Sequence, residues 1–231
     1  MKCMLIGGGE IGRGDTPYET EIIDKEIIKM SEKVRPNLLF IGFASSHSDS
    51  YYDVIKKNFQ KLGCETQYLK KSNCLYNPEI VKAKFQTADI IYVGGGDTLK
   101  LLERIEEYQL KPLFRAAMER NCVMAGISAG AILFAREGFS DAFILRGEKD
   151  SYEMIPGFDY APVTICPHYH RYQPKTDALK AYLKEHPSTI FGLENGTALK
   201  IIDKEISSVS SLHNASCYLV YYDQEFTEKK F

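Results

Sequence analysis

Val123-Met-Ala-Gly-Ile-Ser-Ala-Gly-Ala-Ile-Leu-Phe134 is the stretch on which the fold turns. The apolar run Val123 to Ile127 predicts a buried strand, and the apolar residues after Gly130 predict a helix. Gly126-Ile-Ser-Ala-Gly130 joins them in the nucleophile-elbow pattern G-x-S-x-G. A serine at such a joint sits on a strained turn where backbones approach closely, so its neighbours must be small. The turn lifts the hydroxyl to the start of the helix, where unpaired N–H groups can stabilise an oxyanion. A chance G-x-S-x-G turns up in roughly one chain in ten of this length, so the strand-then-helix context carries the reading. Without it, Ser128 would be an inert residue in a tight junction.

Working outward, short apolar runs alternate with amphipathic segments of helical length, the pattern of an α/β chain with a mostly parallel sheet covered on both faces. Strands are expected at Cys3–Ile6, Leu38–Phe43, Thr66–Leu69, Ile90–Val93, Val123–Ile127, Val163–Cys166 and Thr189–Leu193. Helices are expected at Tyr18–Glu32, Tyr52–Leu62, Pro78–Phe85, Leu99–Tyr108, Pro112–Arg120, Ala129–Phe134 and Pro174–Glu185. Ile22, Ile23, Ile27 and Met30 make one face of the first helix. Pro78 and Pro112 suit first helical turns. Thr197–Ile202 and Cys217–Tyr222 read as antiparallel strands completing the same unit, so residues 1–231 are taken as one domain.

The 231 residues, 44% hydrophobic and 26% charged, suit one soluble globule with a sizeable core. A formal net charge of −2 without a basic run gives no support to a nucleic-acid partner. No apolar stretch approaches the ~18 residues of a membrane span, and Met1 to Gly9 turns glycine-rich too soon for a signal peptide. The six cysteines show no C-x-x-C spacing, and Cys3, Cys122 and Cys166 fall in strand-like runs. Buried free thiols and a reducing cytoplasm are the expectation.

In such a sheet the carboxyl ends of the strands carry the ligand site, and four of those ends hold glycine: Gly7-Gly8-Gly9, Gly42, Gly94-Gly95-Gly96 and Gly126. Gly7-x-Gly9-x-x-Gly12 matches a dinucleotide fingerprint on paper. The turn runs on through Arg13-Gly14-Asp15-Thr16-Pro17, however, so no helix starts where a pyrophosphate needs one. The second strand ends without an acid for the ribose. A loop shaping a pocket is the better reading. In Tyr92-Val-Gly-Gly-Gly-Asp-Thr98, Asp97 and Thr98 are candidate helix caps, and the N–H groups of Gly95 and Gly96 are candidate oxyanion donors.

Among the histidines, His47, His186 and His213 lie in polar surroundings. His168 and His170, in Ile165-Cys-Pro-His-Tyr-His170, close an apolar strand on the edge where the glycines gather. Two apart, they could chelate a metal, but no third ligand follows at a recognisable spacing. One of them as general base to Ser128 is the stronger reading. A serine–histidine pair wants an orienting carboxylate, and Glu194 in Phe191-Gly-Leu-Glu-Asn-Gly-Thr197 stands where the next strand ends. The order Ser128, His168, Glu194 differs from that of the α/β-hydrolases.

These stretches, Tyr92 to Thr98, Gly126 to Ala131, Ile165 to Tyr169 and Gly192 to Gly196, resemble the S51 serine peptidases in order and spacing from about Cys3 to Ile202. That family contains the aspartyl dipeptidases (peptidase E) and the cyanophycinases. The resemblance implies a three-layer flavodoxin-like fold, class I glutamine amidotransferase-like, with serine in place of cysteine. It implies Ser128 as nucleophile and His168 as base. Gly96 and Ala129 would be the oxyanion donors, with Gly95, Asp97, His170, Arg171 and Asn195 in substrate binding.

Departures from the family pattern stand out. The dipeptidases place their acid directly before the turn glycine; here that place is Asn195, and the glutamate stands one step earlier. A one-residue shift in an extended segment turns the side chain to the opposite face. Glu194 on chemistry, Asn195 on alignment, or Asp141 from elsewhere would then orient His168, and Glu194 is preferred. Asp97 replaces an asparagine, and its charge would repel an acidic substrate side chain. The dipeptidases' basic segment after the histidine is also absent, leaving Arg171 as the nearest cation.

The expectation is a cytoplasmic serine peptidase of small peptides or amides, needing no metal and no cofactor. A homodimer is compatible with it; a nucleic-acid or membrane partner is not expected. The alternatives are a small-molecule binding or sensing protein on the same fold and a glutaminase-like amide hydrolase. The latter is disfavoured because the elbow carries Ser128 while Cys122 lies within the strand.

Overall fold

The computed structural model describes residues 1–231. From the amino end, β1 (Lys2–Ile6), α1 (Glu21–Met30), β2 (Asn37–Ile41), α2 (Ser48–Lys61) and β3 (Glu65–Tyr68) alternate as the hydrophobic pattern requires. Next come α3 (Lys71–Tyr76), α4 (Pro78–Thr87), β4 (Ile90–Val93), α5 (Thr98–Glu107), α6 (Lys111–Glu119), β5 (Val123–Ile127) and α7 (Ala129–Phe134). The later part runs through β6 (Ala135–Ser140), α8 (Ala142–Arg146), β7 (Glu153–Pro156), β8 (Ala161–Pro167), α9 (Gln173–Glu185) and β9 (Thr189–Leu193). It ends in β10 (Thr197–Ile202), β11 (Glu205–Ser210), β12 (Cys217–Asp223) and β13 (Glu225–Lys230).

The strands form two sheets where one was expected: β11-β10-β1-β5-β4-β2-β3 and β13-β12-β9-β8-β6-β7. Each has a parallel centre, β1-β5-β4-β2-β3 in one and β9-β8-β6 in the other, with antiparallel margins. The division starts at α7. Its six residues, Ala-Gly-Ala-Ile-Leu-Phe, are apolar all round and all buried, so this helix has no face to offer water. The chain leaves it without a turn into β6, which pairs with β8. A single core cluster holds Leu5 and Met124 of the first sheet, Leu133 of α7, and Ile165 and Leu193 of the second. On the other face of the first sheet, Ile23 and Ile27 of α1 and Ile55 and Phe59 of α2 cover Met4, Phe40 and Ala125. Leu179 and Leu183 of α9 pack with Cys166 and Val220 of the second.

A flavodoxin-like order, 2-1-3-4-5, would place β1 between β2 and β3 and leave β5 at an edge. Here β1 lies beside β5 instead, pairing Ile6 with Ile127, while β2 pairs with β3 and β4. The physical link is the Ser128 N–H, which donates to the Ile6 carbonyl at 2.9 Å. The first glycine loop therefore abuts the elbow, and the carboxyl ends of β8 and β9 meet it from the second sheet.

Candidate active site

Ser128 holds the strained backbone that the elbow pattern predicts, with φ +54° and ψ −112°. The small residues around it are demanded by contact. A Cβ on Gly126 would lie 2.1 Å from the Gly130 carbonyl oxygen, and one on Gly130 would lie 2.1 Å from that of Val93. Both obstacles are backbone, which cannot swing aside. Strand β5, helix α7 and the end of β4 can meet only where both positions lack side chains.

His168 follows Pro167 at the end of β8, and its Nε2 lies 2.9 Å from Ser128 Oγ. Its own φ is +55°, a conformation that needs holding in place. Two hydrogen bonds hold it, and the missing side chain of Gly8 leaves room for it. The His168 N–H donates to the Gly7 carbonyl at 3.0 Å. The Lys175 ammonium, buried on α9, donates to the Pro167 carbonyl at 2.7 Å. At Gly8, with φ +149°, a Cβ would come within 2.3 Å of the His168 ring and 2.5 Å of Asn195 Oδ1. The first glycine loop thus makes room for the imidazole and its partner, and the next helix begins only at Glu21.

That partner is Asn195. Its Oδ1 accepts the His168 Nδ1–H at 2.7 Å. Glu194, preferred on chemistry for this place, is not there. Its carboxylate instead accepts from His170 Nδ1 at 2.9 Å and from the Ser216 N–H at 2.8 Å. Glu194 follows β9 and Asn195 sits within the turn that the Thr197 N–H closes onto the Glu194 carbonyl at 3.2 Å, so the two neighbouring side chains leave the turn toward different histidines. Asp141, the third candidate, makes no hydrogen bond or ion pair through its side chain and instead lines a cavity at Ser128. His170 also points away from the serine: its two ring nitrogens face Glu194 and Glu228, each at 2.9 Å. The two histidines do not converge on a common point.

Burial pushes the His168 imidazole down to about 4, the nearby Lys175 cation adds to the effect, and the Asn195 hydrogen bond opposes it. Such an imidazole is neutral at ordinary pH, with a free nitrogen toward Ser128. In the second glycine loop, Gly94 N–H donates to Ile41 and Asp97 N–H to Ala44. Gly95 N–H donates to the Tyr51 hydroxyl at 3.3 Å. The Gly96 N–H is engaged by no such acceptor, and Ala129 is the first residue of α7, where N–H groups lack helical partners.

Two cavities meet at Ser128 and His168. One, of about 430 Å³, is lined among others by Asp97, Lys100 and Asp141; the other, of about 310 Å³, by Glu10, Arg13 and Tyr51. The expectation for Asp97 needs correcting. Its Oδ1 caps α5 through the Lys100 N–H, and its Oδ2 accepts from Arg146 Nε at 2.9 Å, so its charge is balanced. Arg171 lines neither cavity; its Nε donates to the Tyr172 hydroxyl. Arg13 and Lys100 are the cations that line these cavities, and sequence reasoning missed both. Arg13 carried a signal, standing between Gly12 and Gly14 in the loop after β1, whereas Lys100 looks like any helical lysine.

The profile of peptidase family S51 matches residues 3–209. The chain is 30% identical over 225 residues to an uncharacterized peptidase, YgaJ, of Bacillus subtilis (strain 168), covering 95% of this chain and 92% of that protein. It is 25% identical to a peptidase E of Shewanella denitrificans, covering 97% and 93%. In structure it is similar to a peptidase from an acI-B1 Actinobacterium, with a TM-score of 0.69 at 20% identity, covering 100% of this chain and 93% of that one. No helix is long and apolar enough to cross a membrane. With a family match over most of its length, this chain belongs to peptidase family S51.

Proposed function

We propose that the chain is a serine peptidase of small peptides, dipeptidase-like in substrate size, working through Ser128, His168 and Asn195 as one domain. The observation that carries this reading is the 2.9 Å contact between His168 Nε2 and the hydroxyl of an elbow serine. His168 Nε2 takes the Ser128 proton as Oγ attacks the carbonyl carbon. The N–H groups of Gly96 and Ala129 receive the negative charge that develops on the carbonyl oxygen. The C–N bond then breaks, His168 returns the proton to the leaving nitrogen, and water hydrolyses the acyl-enzyme.

Asn195 accepts the Nδ1–H and so keeps the serine-facing nitrogen free. Unlike a carboxylate, it adds no charge to stabilise the imidazolium formed during attack. Asp141, unpaired in the larger cavity, supplies a counter-charge for the α-ammonium of the first residue. Lys100 beside it, with Asp97 neutralised, leaves that cavity open to an acidic side chain. Peptidase E relatives support a peptide substrate. A fluorophosphonate should label the protein stoichiometrically and label Ser128→Ala not at all, and dipeptide turnover should fall by several orders of magnitude in that variant. Labelling that survives the substitution would contradict the reading.

A further inference from the structure

The arginine of the smaller cavity has no partner. Arg146 is shared among Asp97, Glu103 and Glu148, whereas the exposed Arg13 makes no ion pair and no side-chain hydrogen bond. Its guanidinium lies over the ring of buried Tyr51, 5.1 Å from the centroid. The same tyrosine's hydroxyl accepts the Gly95 N–H, so one side chain supports both the second glycine loop and the cation. The loop that carries Arg13 is anchored. Its carbonyl accepts from the Thr16 N–H and hydroxyl, Gly12 N–H donates to Pro17, and Asn58 holds the Ile11 carbonyl at 2.7 Å. A guanidinium paired with no carboxylate, lining the same cavity as the serine nucleophile, is a site shaped for an anion.

We infer that Arg13 binds the free C-terminal carboxylate of the leaving residue, which makes this enzyme a reader of peptides with one residue beyond the cleaved bond. The inference rests on the peptidase reading and deepens it. A dipeptide carries an ammonium on the acyl side of its single amide bond and a carboxylate on the other. The two cavities meeting at Ser128 offer unpaired charge in the same arrangement, with Asp141 in one and Arg13 in the other. Glu10 shares the smaller cavity without pairing with Arg13. When the C–N bond breaks and the proton from Ser128 passes through His168 to the leaving nitrogen, the released amine takes up a further proton from water. It then has Glu10 as a counter-charge. The uncleaved amide nitrogen, being neutral, gains nothing from that carboxylate.

The test compares Ala-Leu with its C-terminal amide, Ala-Leu-NH2, in the wild-type chain and in Arg13→Gln. The wild type should favour the free acid by at least tenfold in kcat/KM, about 1.4 kcal/mol, and Arg13→Gln should bring the ratio close to one. Ser128→Ala, titrated calorimetrically with the same two peptides, should show the same preference in Kd, lost in the double variant with Arg13→Gln. The inference is overturned if the wild-type ratio is already near one, or if Arg13→Gln leaves it unchanged. Absence of serine-dependent hydrolysis of both peptides would instead break the peptidase reading, and the calorimetric ratio would still decide the role of Arg13.

Discussion

His168 and His170 stand two residues apart, both with positive φ, +55° and +62°, and their surroundings are opposite. His168 faces a hydroxyl and a neutral amide and is kept uncharged by burial and by Lys175. His170 is exposed and lies between two carboxylates, one from the β9–β10 turn and one from β13. Because Glu194 and Asn195 are neighbours at the start of one tight turn, a single step along the chain decides which histidine receives the acid. The chain gives the charge to the histidine that ties the C-terminal hairpin to the turn, and gives the neutral partner to the one beside Ser128. Placing a carboxylate near a histidine in sequence is therefore a poor guide to which imidazole it serves.

The sharpest way to break this contrast is to crowd one histidine and leave the other alone. Gly8→Ala puts a methyl group against the His168 ring and Asn195 Oδ1. We expect kcat/KM to fall by more than a thousandfold. Stability should fall by only ~1–3 kcal/mol, the usual cost of overpacking, measured by denaturant unfolding. A variant with near-normal activity would show that the His168–Asn195 pair is not needed in this arrangement.

Next in size is the partner itself. Asn195→Ala should lower kcat by about a hundredfold or more, since the imidazole loses the acceptor that fixes its tautomer. Glu194→Gln should lower it by less than tenfold, because that carboxylate contacts His170 and Ser216 rather than His168. The reverse order would return the orienting role to Glu194. A smaller effect belongs to His170→Gln, which leaves Glu194 and Glu228 facing each other without a bridging ring. We expect about 1 kcal/mol of lost stability, the scale of an exposed pair, with KM for a dipeptide unchanged, because His170 lines neither cavity. A large rise in KM would place His170 in substrate binding after all.

Much of this arrangement was legible in the sequence, and the reasons differ by region. Ile90–Val93, Val123–Ile127 and Thr189–Leu193 are strands at their expected limits, and Ala129–Phe134 is a helix at its expected limits. Each of the three strands is a short apolar run ended by glycine or a polar residue, and the helix starts directly after Ser128. Strands β11 and β13, Glu-Ile-Ser-Ser-Val-Ser and Glu-Phe-Thr-Glu-Lys-Lys, went unread because both are mostly exposed margins whose side chains carry little hydrophobic signal. Strand β6 was hidden by its direct continuation from α7, where no turn residue marks the boundary. That one omission also concealed the second sheet. At the site, the elbow serine and Pro-His carried local signals. The choice between Glu194 and Asn195 depended on which side of one turn faced β8, and Arg13 gained its meaning only from Tyr51, a residue of α2.

The central claim is that His168 is a neutral base, protonated on Nδ1 toward Asn195 with Nε2 left free for Ser128. Burial and Lys175 lower its folded-state value to about 4, against about 6.5 for a free imidazole. Between those values the unfolded chain binds the proton and the folded one does not. This group's contribution to stability is therefore complete above pH ~6.5 and is lost as pH falls toward ~4. The acid limb of kcat/KM should lie in the same low range. The most direct test is a nitrogen-15 NMR titration of His168, in the wild type and in Asn195→Asp, whose added negative charge must raise the value. The account predicts a neutral Nδ1–H tautomer at pH 6, half-protonation near 4 in the wild type, and a clear upward shift in Asn195→Asp. An Nε2–H tautomer, or titration at or above ~6.5 in the wild type, would contradict it.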